Sequence, residues 1–289
     1  MKKILSLAIV TVFLVSNLTS CCCFFPCGNG LLDGEEIFDF DDDIRFETYI
    51  SSDEISSVIG DMRRTDSLCE SAYQQSQNGA DACYELVKII AKGLGVSSDD
   101  ISYVQSQKII GSSSSNSAIQ EQVISTYRTF DLLVLIAEKL DEDGEYAYDI
   151  SSIESTFRSQ DNNASGAPQQ LVNGLYRSVE ILEVIAKIAD EDNNYSTEIY
   201  STLNRLYTQN DSCKSAPQQS ANGAYRCVEM VLLIAEILDY DGDFQYDIDY
   251  VSSTLDSNND RCTSALQQNA NGVYRMAEAL EVLANVLNS

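Results

Sequence analysis

The stretch Cys213–Leu238, CKSAPQQSANGAYRCVEMVLLIAEIL, decides the fold because the chain contains five versions of it. Aligned on its first alanine, the unit recurs in steps of 46, 49, 49 and 49 residues, at Ala72, Ala118, Ala167, Ala216 and Ala265. Another alanine follows each of these by nineteen residues, at Ala91, Ala137, Ala186, Ala235 and Ala284. An isoleucine precedes each by seventeen residues, at Ile55, Ile101, Ile150, Ile199 and Ile248. Five copies in one register predict a repeat array.

Each unit shows the apolar spacing of two helices. In the third unit, Ile150, Ile153 and Phe157 recur at helical intervals, and a polar turn follows them. The residue before each repeated alanine then predicts the start of a longer helix, at the N-caps Ser71, Ser117, Gly166, Ser215 and Ser264. No stretch of the sequence alternates as a strand does. We therefore expect an all-α, solenoid-like array of five αα-hairpin repeats of about 49 residues over residues 52–289.

An Asn-Gly pair lies inside the second helix of four units, where glycine costs about 1 kcal/mol relative to alanine. Either two helices cross closely there, or a short helix ends and a new one begins.

Cys69 and Cys83 occupy the same repeat positions as Cys213 and Cys227. The disulfides Cys69–Cys83 and Cys213–Cys227 would need a chain that folds back at the glycine, since an unbroken helix holds these cysteines too far apart. The matched positions favour the fold-back and the disulfides; the alternative is a continuous helix with free thiols.

The N-terminus has the features of an export signal. Lys2 and Lys3 precede a mostly apolar stretch that is too short to span a bilayer, and Leu18-Thr19-Ser20-Cys21 follows it. These four residues resemble the lipobox of bacterial lipoproteins. The resemblance implies that residues 1–20 are removed and that Cys21 carries lipid, in an exported chain whose compartment permits disulfides.

Lipid would be the only membrane anchor, because the sequence has no second long apolar run. Residue 22 is cysteine rather than aspartate, so by resemblance to enterobacterial sorting the inner-membrane retention signal is absent. We expect a cell-envelope protein on the outer membrane or the cell surface. Residues 21–51 are interpreted as a tether and an N-terminal cap that contributes phenylalanines to the first repeat.

The composition excludes several classes of function. The chain has 45 acidic and 18 basic residues, a formal net charge of −27, which repels nucleic acid and favours cations or basic partners. It has no histidine, which removes Ser-His and Cys-His nucleophiles and histidine metal sites. A carboxylate-dependent hydrolase stays open as an alternative, but so many acids produce carboxylate pairs by chance. We do not expect an enzyme.

A polar ladder recurs in the second helices. One copy comprises Gln169, Asn173, Tyr176 and Arg177, and the next comprises Gln218, Asn222, Tyr225 and Arg226. A functional interpretation is a concave binding surface with one such cluster per repeat. The structural interpretation is a hydrogen-bonded ladder between repeats, with each arginine paired to a glutamate of the neighbouring unit. Recurrence at a fixed step favours the structural interpretation.

The turns between repeats are acidic and invite a metal hypothesis. Each has carboxylates at its first, third and ninth positions: Asp141, Asp143 and Asp149; Asp190, Asp192 and Glu198; Asp239, Asp241 and Asp247. Aspartates spaced in this way beside glycine or asparagine resemble calcium loops in general, although none has the EF-hand spacing. The alternative is a solvated turn whose last carboxylate starts the next helix.

The sequence thus predicts a non-catalytic, lipid-anchored interaction or scaffold module that binds a protein partner in the cell envelope. A calcium-stabilised structural or surface protein is the first alternative, and no other cofactor is expected.

Overall fold

The computed structural model describes residues 50–289, which are all-helical with no strand among them. Five shorter helices alternate with five longer ones. Their bounds are α1 Ser52–Asp66, α2 Ala72–Gly93, α3 Ser98–Ser114, α4 Ala118–Leu140, α5 Ala147–Asn163, α6 Ala167–Ala189, α7 Ser196–Asn210, α8 Ala216–Leu238, α9 Gln245–Asn259 and α10 Ala265–Leu287. The predicted signal, the lipidation of Cys21 and the phenylalanine cap fall on residues outside the described part.

The long helices all begin in the same way. The predicted N-caps are confirmed, and the Oγ atoms of Ser71 and Ser264 accept hydrogen bonds from the amides of Gln74 and Gln267. A glutamine in the first turn also reaches back, so that its Oε1 accepts from the amide four residues earlier. The five glutamines are Gln74, Gln120, Gln169, Gln218 and Gln267. This reciprocal capping satisfies amides that a helix start leaves open and fixes the start of every repeat.

The long helices form a closed ring, and we call α2, α4, α6, α8 and α10 the ring helices. Each contacts the ring helix before and after it in sequence, and α10 contacts α2. The short helices lie outside, each against its own ring helix and the preceding one, and α1 contacts both α2 and α10. Within residues 50–289 the short helices do not contact one another.

The closing junction has the same register as an internal one. Between α6 and α8, the thiol of Cys227 lies 3.6 Å from the carbonyl oxygen of Leu175. Between α10 and α2, the thiol of Cys83 lies 3.5 Å from the carbonyl oxygen of Val273, at the equivalent repeat positions. The expected solenoid-like array would leave its two end repeats facing solvent. Here the first and last repeats cover each other, so the described chain has no uncovered end repeat.

The residues that mark the repeat in the sequence are core residues. The alanines of the second series, Ala91, Ala137, Ala186, Ala235 and Ala284, are all 0% exposed. The recurring isoleucines of the short helices, Ile55, Ile101, Ile150, Ile199 and Ile248, are at most 5% exposed. The repeat is therefore conserved within the chain where small and branched apolar side chains must fit between helices.

The glycine of Asn-Gly marks a close crossing between neighbouring ring helices. A Cβ built on Gly223 would lie 2.9 Å from the Cβ of Leu175 and 3.0 Å from the Tyr176 ring. Gly174 and Gly272 face the rings of Tyr127 and Tyr225 in the same way. The ring helices run unbroken through these positions, so the predicted fold-back is wrong and the close-crossing explanation is right.

The predicted disulfides are also wrong. Cys69, Cys83, Cys213, Cys227 and Cys262 are all free. Cys69 precedes α2, whereas Cys83 lies in its middle, roughly 16 Å further along a continuous helix. The thiol of Cys69 instead lies 3.4 Å from the carbonyl oxygen of Thr65, and Cys83 is buried in the ring. Bonded cysteines need Cα atoms within about 7 Å, which the unbroken helix prevents.

We predict that Gly223→Ala destabilises the protein by about 1–3 kcal/mol, because the added methyl meets packed side chains of α6. This loss should exceed the gain in helix propensity of about 1 kcal/mol. Gly60→Ala is the matched control, since a Cβ at that helical glycine meets nothing within 4 Å and should stabilise the protein. Urea unfolding of both variants tests the crossing, and a neutral or stabilising Gly223→Ala would contradict it.

Candidate functional site

The asparagines of the ladder join the two helices of one repeat. Asn173 Nδ2 donates to the Phe157 carbonyl oxygen at 3.0 Å, and Asn222 Nδ2 donates to the Leu206 carbonyl oxygen at 2.8 Å. Asn78 and Asn271 make the same bond in the first and last repeats. Asn173 and Asn222 are 6% and 7% exposed. Each asparagine therefore pins a short helix to its ring helix and is not available to a ligand.

The tyrosines of the ladder join one repeat to the next. Tyr176 Oη donates to Asn210 Oδ1 at 2.8 Å, and Tyr225 Oη donates to Asn259 Oδ1 at the same distance. Tyr127 donates to Asp161 Oδ1 at 2.6 Å at the preceding junction. Burial raises the pKa of both Tyr176 and Tyr225 to about 12, so the hydroxyls stay protonated as donors. These bonds lie at the end of the short helix of the following repeat.

The first junction replaces this arrangement with a different matched set. Asp81 stands where the later repeats have tyrosine, and Ser125 stands where they have glycine. Asp81 Oδ1 accepts from Ser125 Oγ at 2.5 Å and from Lys108 Nζ at 2.8 Å. Without a tyrosine ring to accommodate, the next helix can carry a side chain at the glycine position. The two departures from the repeat therefore compensate for each other.

The arginines of the ladder pair within their own helix, which corrects the predicted pairing to the neighbouring repeat. Arg177 Nη1 lies 2.5 Å from Glu180 Oε2, and Arg226 pairs with Glu229 in the same geometry. Charges do cross between repeats, but from arginines of short helices: Arg158 lies 3.0 Å from Asp131, and Arg63 lies 3.6 Å from Glu278 across the closing junction. The ladder is thus a set of internal contacts, and the concave binding surface has no support in these side chains.

The first carboxylate of each acidic turn binds the backbone at the start of the following short helix. Asp141 accepts from the amide of Tyr146 at 3.1 Å, Asp190 from that of Tyr195 at 3.0 Å, and Asp239 from that of Phe244 at 3.1 Å. Each acid follows the C-terminus of a ring helix, where negative charge is unfavourable. The same carboxylate lies at the N-terminus of the next helix, where negative charge is favourable.

The other carboxylates named as calcium ligands have similar local roles. Asp143, Asp192 and Asp241 accept from the amide two residues later. Asp149, Glu198 and Asp247 lie in the first turns of α5, α7 and α9. Within residues 50–289, no three acidic or cysteine side chains converge into a group that could hold a metal. The geometry therefore favours backbone-capping turns over calcium loops.

The turns bring a different set of side chains together at one end of the ring. Because the ring helices are parallel, the three acidic turns and the starts of α5, α7 and α9 lie at the same end. Residues 141–150, 190–200 and 239–250 contain fourteen acids and no lysine or arginine. Five exposed tyrosines accompany them: Tyr148 (82% exposed), Tyr200 (68%), Tyr240 (76%), Tyr246 (77%) and Tyr250 (54%). We call these three segments the acidic edge.

The structure also bears on the hydrolase alternative. A surface groove of about 340 Å³ lies between the second and third repeats, and its lining includes one carboxylate, that of Asp161. This carboxylate accepts hydrogen bonds from Tyr127 and Gln170. The groove therefore lacks the facing pair of carboxyl groups that glycoside hydrolysis requires.

Comparisons with known proteins add no assignment: the chain matches no protein-family model, no curated protein and no solved structure. Among the helices of residues 50–289, none is long and apolar enough to cross a membrane.

Several carboxyl groups beside the ring have raised pKa values. Burial is the largest cause at Asp131, Glu180 and Glu229, and it outweighs the arginines next to them. At Glu229 the charge of Asp256 raises the pKa further. The folded protein therefore binds protons at these sites more tightly than the unfolded chain does.

We predict that lowering the pH from about 7 to about 5 raises the melting temperature. A carboxyl group whose pKa is higher in the folded state than in the unfolded chain stabilises the fold at low pH. This stability is lost as the pH rises from the unfolded-state pKa through the folded-state pKa. General repulsion in a protein of net charge −27 acts in the same direction. Glu229→Gln should flatten the dependence by removing one such group. A melting temperature that falls steadily between pH 7 and 5 would contradict the prediction.

A second prediction concerns the turns. Asp239→Ala should destabilise the protein by about 1 kcal/mol, because it removes the acceptor at the start of α9. Asp243→Ala, in the same turn, removes an exposed carboxylate and should change stability by less than about 0.5 kcal/mol. Thermal melts in calcium and in magnesium at equal ionic strength should coincide. A calcium-specific gain that Asp239→Ala abolishes would restore the calcium hypothesis.

Proposed function

We propose that the protein is a non-catalytic, lipid-anchored module of the cell envelope that binds a protein partner through the acidic edge. The single observation that carries this proposal is the group of five exposed tyrosines at that edge. In this account, five repeats of about 49 residues act as a scaffold that fixes the relative positions of α5, α7 and α9. Cys21 holds the scaffold at the membrane.

The exposed tyrosines support an interface because, unlike the ladder tyrosines, they are not buried in contacts between repeats. The ladder tyrosines Tyr127 and Tyr176 are 7% and 6% exposed and donate to the next repeat. Tyr148 and Tyr246, by contrast, are more than three-quarters exposed at equivalent positions of two repeats. Tyrosine contributes large contact area with little loss of conformational entropy, which is why it is enriched at protein interfaces.

The charge of the edge indicates the chemistry of the partner. The fourteen acids of the edge far outnumber the lysines beside them, of which Lys139 lies 3.9 Å from Glu142, so a negative field remains at this end of the ring. Such a field accelerates encounter with a basic surface and disfavours acidic proteins. Tyrosine rings also attract lysine and arginine side chains through cation–π contacts. The fitting partner is therefore a protein with an exposed segment rich in lysine or arginine.

The interaction can be tested by capture from envelope extracts with the full chain. The variant changes the five tyrosines of the edge to serine and keeps every charge. Tyr73→Ser is the control, because Tyr73 is 37% exposed at the start of α2, at the opposite end of the ring helices from the acidic edge. A basic protein should be retained by the wild type and the control, lost with the five-fold variant, and released as salt rises. Equal capture by all three proteins would contradict the proposal.

The anchor is tested separately. Cys21→Ser should shift the protein from the membrane fraction to the soluble fraction, because residues 50–289 contain no helix that could replace the lipid. A Cys22→Ser variant, one residue further on, should stay with the membrane. If Cys21→Ser also remains membrane-bound, the lipid assignment is wrong, whatever the capture experiment shows.

A further inference from the structure

The buried side chains around the axis of the ring are mostly polar at one end and apolar further along. Near the starts of the ring helices, each helix contributes one buried side chain to a first layer: Ser76, Gln122, Leu171, Ser220 and Asn269, each at most 3% exposed. Three turns further on, the equivalent layer is wholly apolar: Val87, Leu133, Leu182, Val231 and Leu280. One end of the axis therefore buries amides and hydroxyls, whose hydrogen bonds must be found nearby.

The first layer satisfies only part of its hydrogen-bonding capacity. Asn269 Nδ2 donates to Ser76 Oγ at 3.2 Å across the closing junction, and Ser220 Oγ donates to the Pro217 carbonyl oxygen at 3.1 Å. Gln122 Oε1, Gln122 Nε2 and Asn269 Oδ1 are buried and have no partner in residues 50–289. Gln122 is 1% exposed, so bulk solvent does not reach its amide. Two acceptors and one amide donor group remain without partners.

A small void lies one to two turns further along the same helix faces. The volume of this void that is open to the centre of a water molecule is about 10 Å³. This is about the space that one water molecule needs. Its lining combines polar and apolar side chains: Cys83, Thr126, Thr129 and Ser178, and Ala80, Leu175, Val273 and Met276. The hydroxyls of Thr129 and Ser178 donate to carbonyl oxygens of their own helices, each at 2.9 Å. Their oxygens therefore remain able to accept.

We propose that the polar end of the axis is a built binding site for ordered water, with one group of molecules at Gln122 and Asn269 and one molecule in the void. Water fits because the unpartnered groups require a ligand that both donates and accepts. An anion at the helix starts would satisfy the Gln122 donor but would face two acceptor oxygens. An apolar guest would leave all three groups without partners.

The chain itself shows that a glutamine is not required at this position for the helix to pack. Leu171 occupies the equivalent place in the third repeat and is 3% exposed. Gln122→Leu is therefore a substitution that the repeat already accommodates. With water bound, this change removes the hydrogen bonds that the water makes to the Gln122 amide. With a dry axis, the same change removes an unsatisfied amide and should stabilise the protein.

The test is a high-resolution crystal structure of the full chain, together with thermal melts. We expect water density within hydrogen-bond distance of the Gln122 amide and Asn269 Oδ1, and a single water in the void. Gln122→Leu should lose the density at residue 122 and lower the melting temperature by about 2–6 °C.

Three results would overturn the proposal. One is an axis without density beside an unpartnered Gln122 amide, and another is a Gln122 side chain that turns to a protein partner. The third is a melting temperature that rises in Gln122→Leu.

Discussion

The structure depends on the close approach of neighbouring ring helices, at a position that is glycine in four of the five repeats. With no side chain at Gly223, the Leu175 and Tyr176 side chains of the preceding helix can lie against its backbone. This contact sets the register between α6 and α8 and brings the Tyr176 hydroxyl to Asn210. The register between α6 and α8 recurs between α10 and α2, so the last repeat packs against the first and the ring closes.

Much of the fold can be predicted from the sequence because the residues that cap the helices and fill the core recur from repeat to repeat. The glutamine at each ring-helix start, the buried alanines and the isoleucines of the short helices recur in all five repeats, and the N-cap serine recurs in four. Closure cannot be predicted in the same way. Closure depends on the rotation between successive repeats. The repeated sequence predicts that neighbouring repeats pack alike, but it does not give the size of this rotation or the number of repeats that closes a ring.

The cysteines show how a correct spacing led to a wrong bond. Cys69 and Cys83 match Cys213 and Cys227 because both pairs serve the same local roles. The first of each pair ends a polar turn, and the second fills the ring core. The tyrosines that face Gly174, Gly223 and Gly272 recur in the sequence, but the sequence does not show which helix each one packs against. The pairing of Asp81 with Ser125, both departures at the first junction, was the available signal for contact between adjacent ring helices.

The polar residues divide into those that the fold uses and those that are exposed. The ladder, the arginine–glutamate pairs and the first acid of each turn are engaged within the chain. The five tyrosines of the acidic edge are exposed in the turn before α9 and at the starts of α5, α7 and α9. Rigid scaffolds that present side chains at loop and helix ends are a common arrangement for binding.

Closure of the ring is the central claim, and a short thiol-reactive cross-linker tests it most directly. Asn288 Nδ2 lies 3.3 Å from Ser52 Oγ, although 236 residues separate them. In a chain whose nine native cysteines are serine, Ser52→Cys with Asn288→Cys should cross-link within one molecule in high yield. Ser52→Cys with Ser196→Cys, on the non-adjacent fourth repeat, should not. A closed ring predicts that difference; no intramolecular product from the first pair would show an open array and contradict the account.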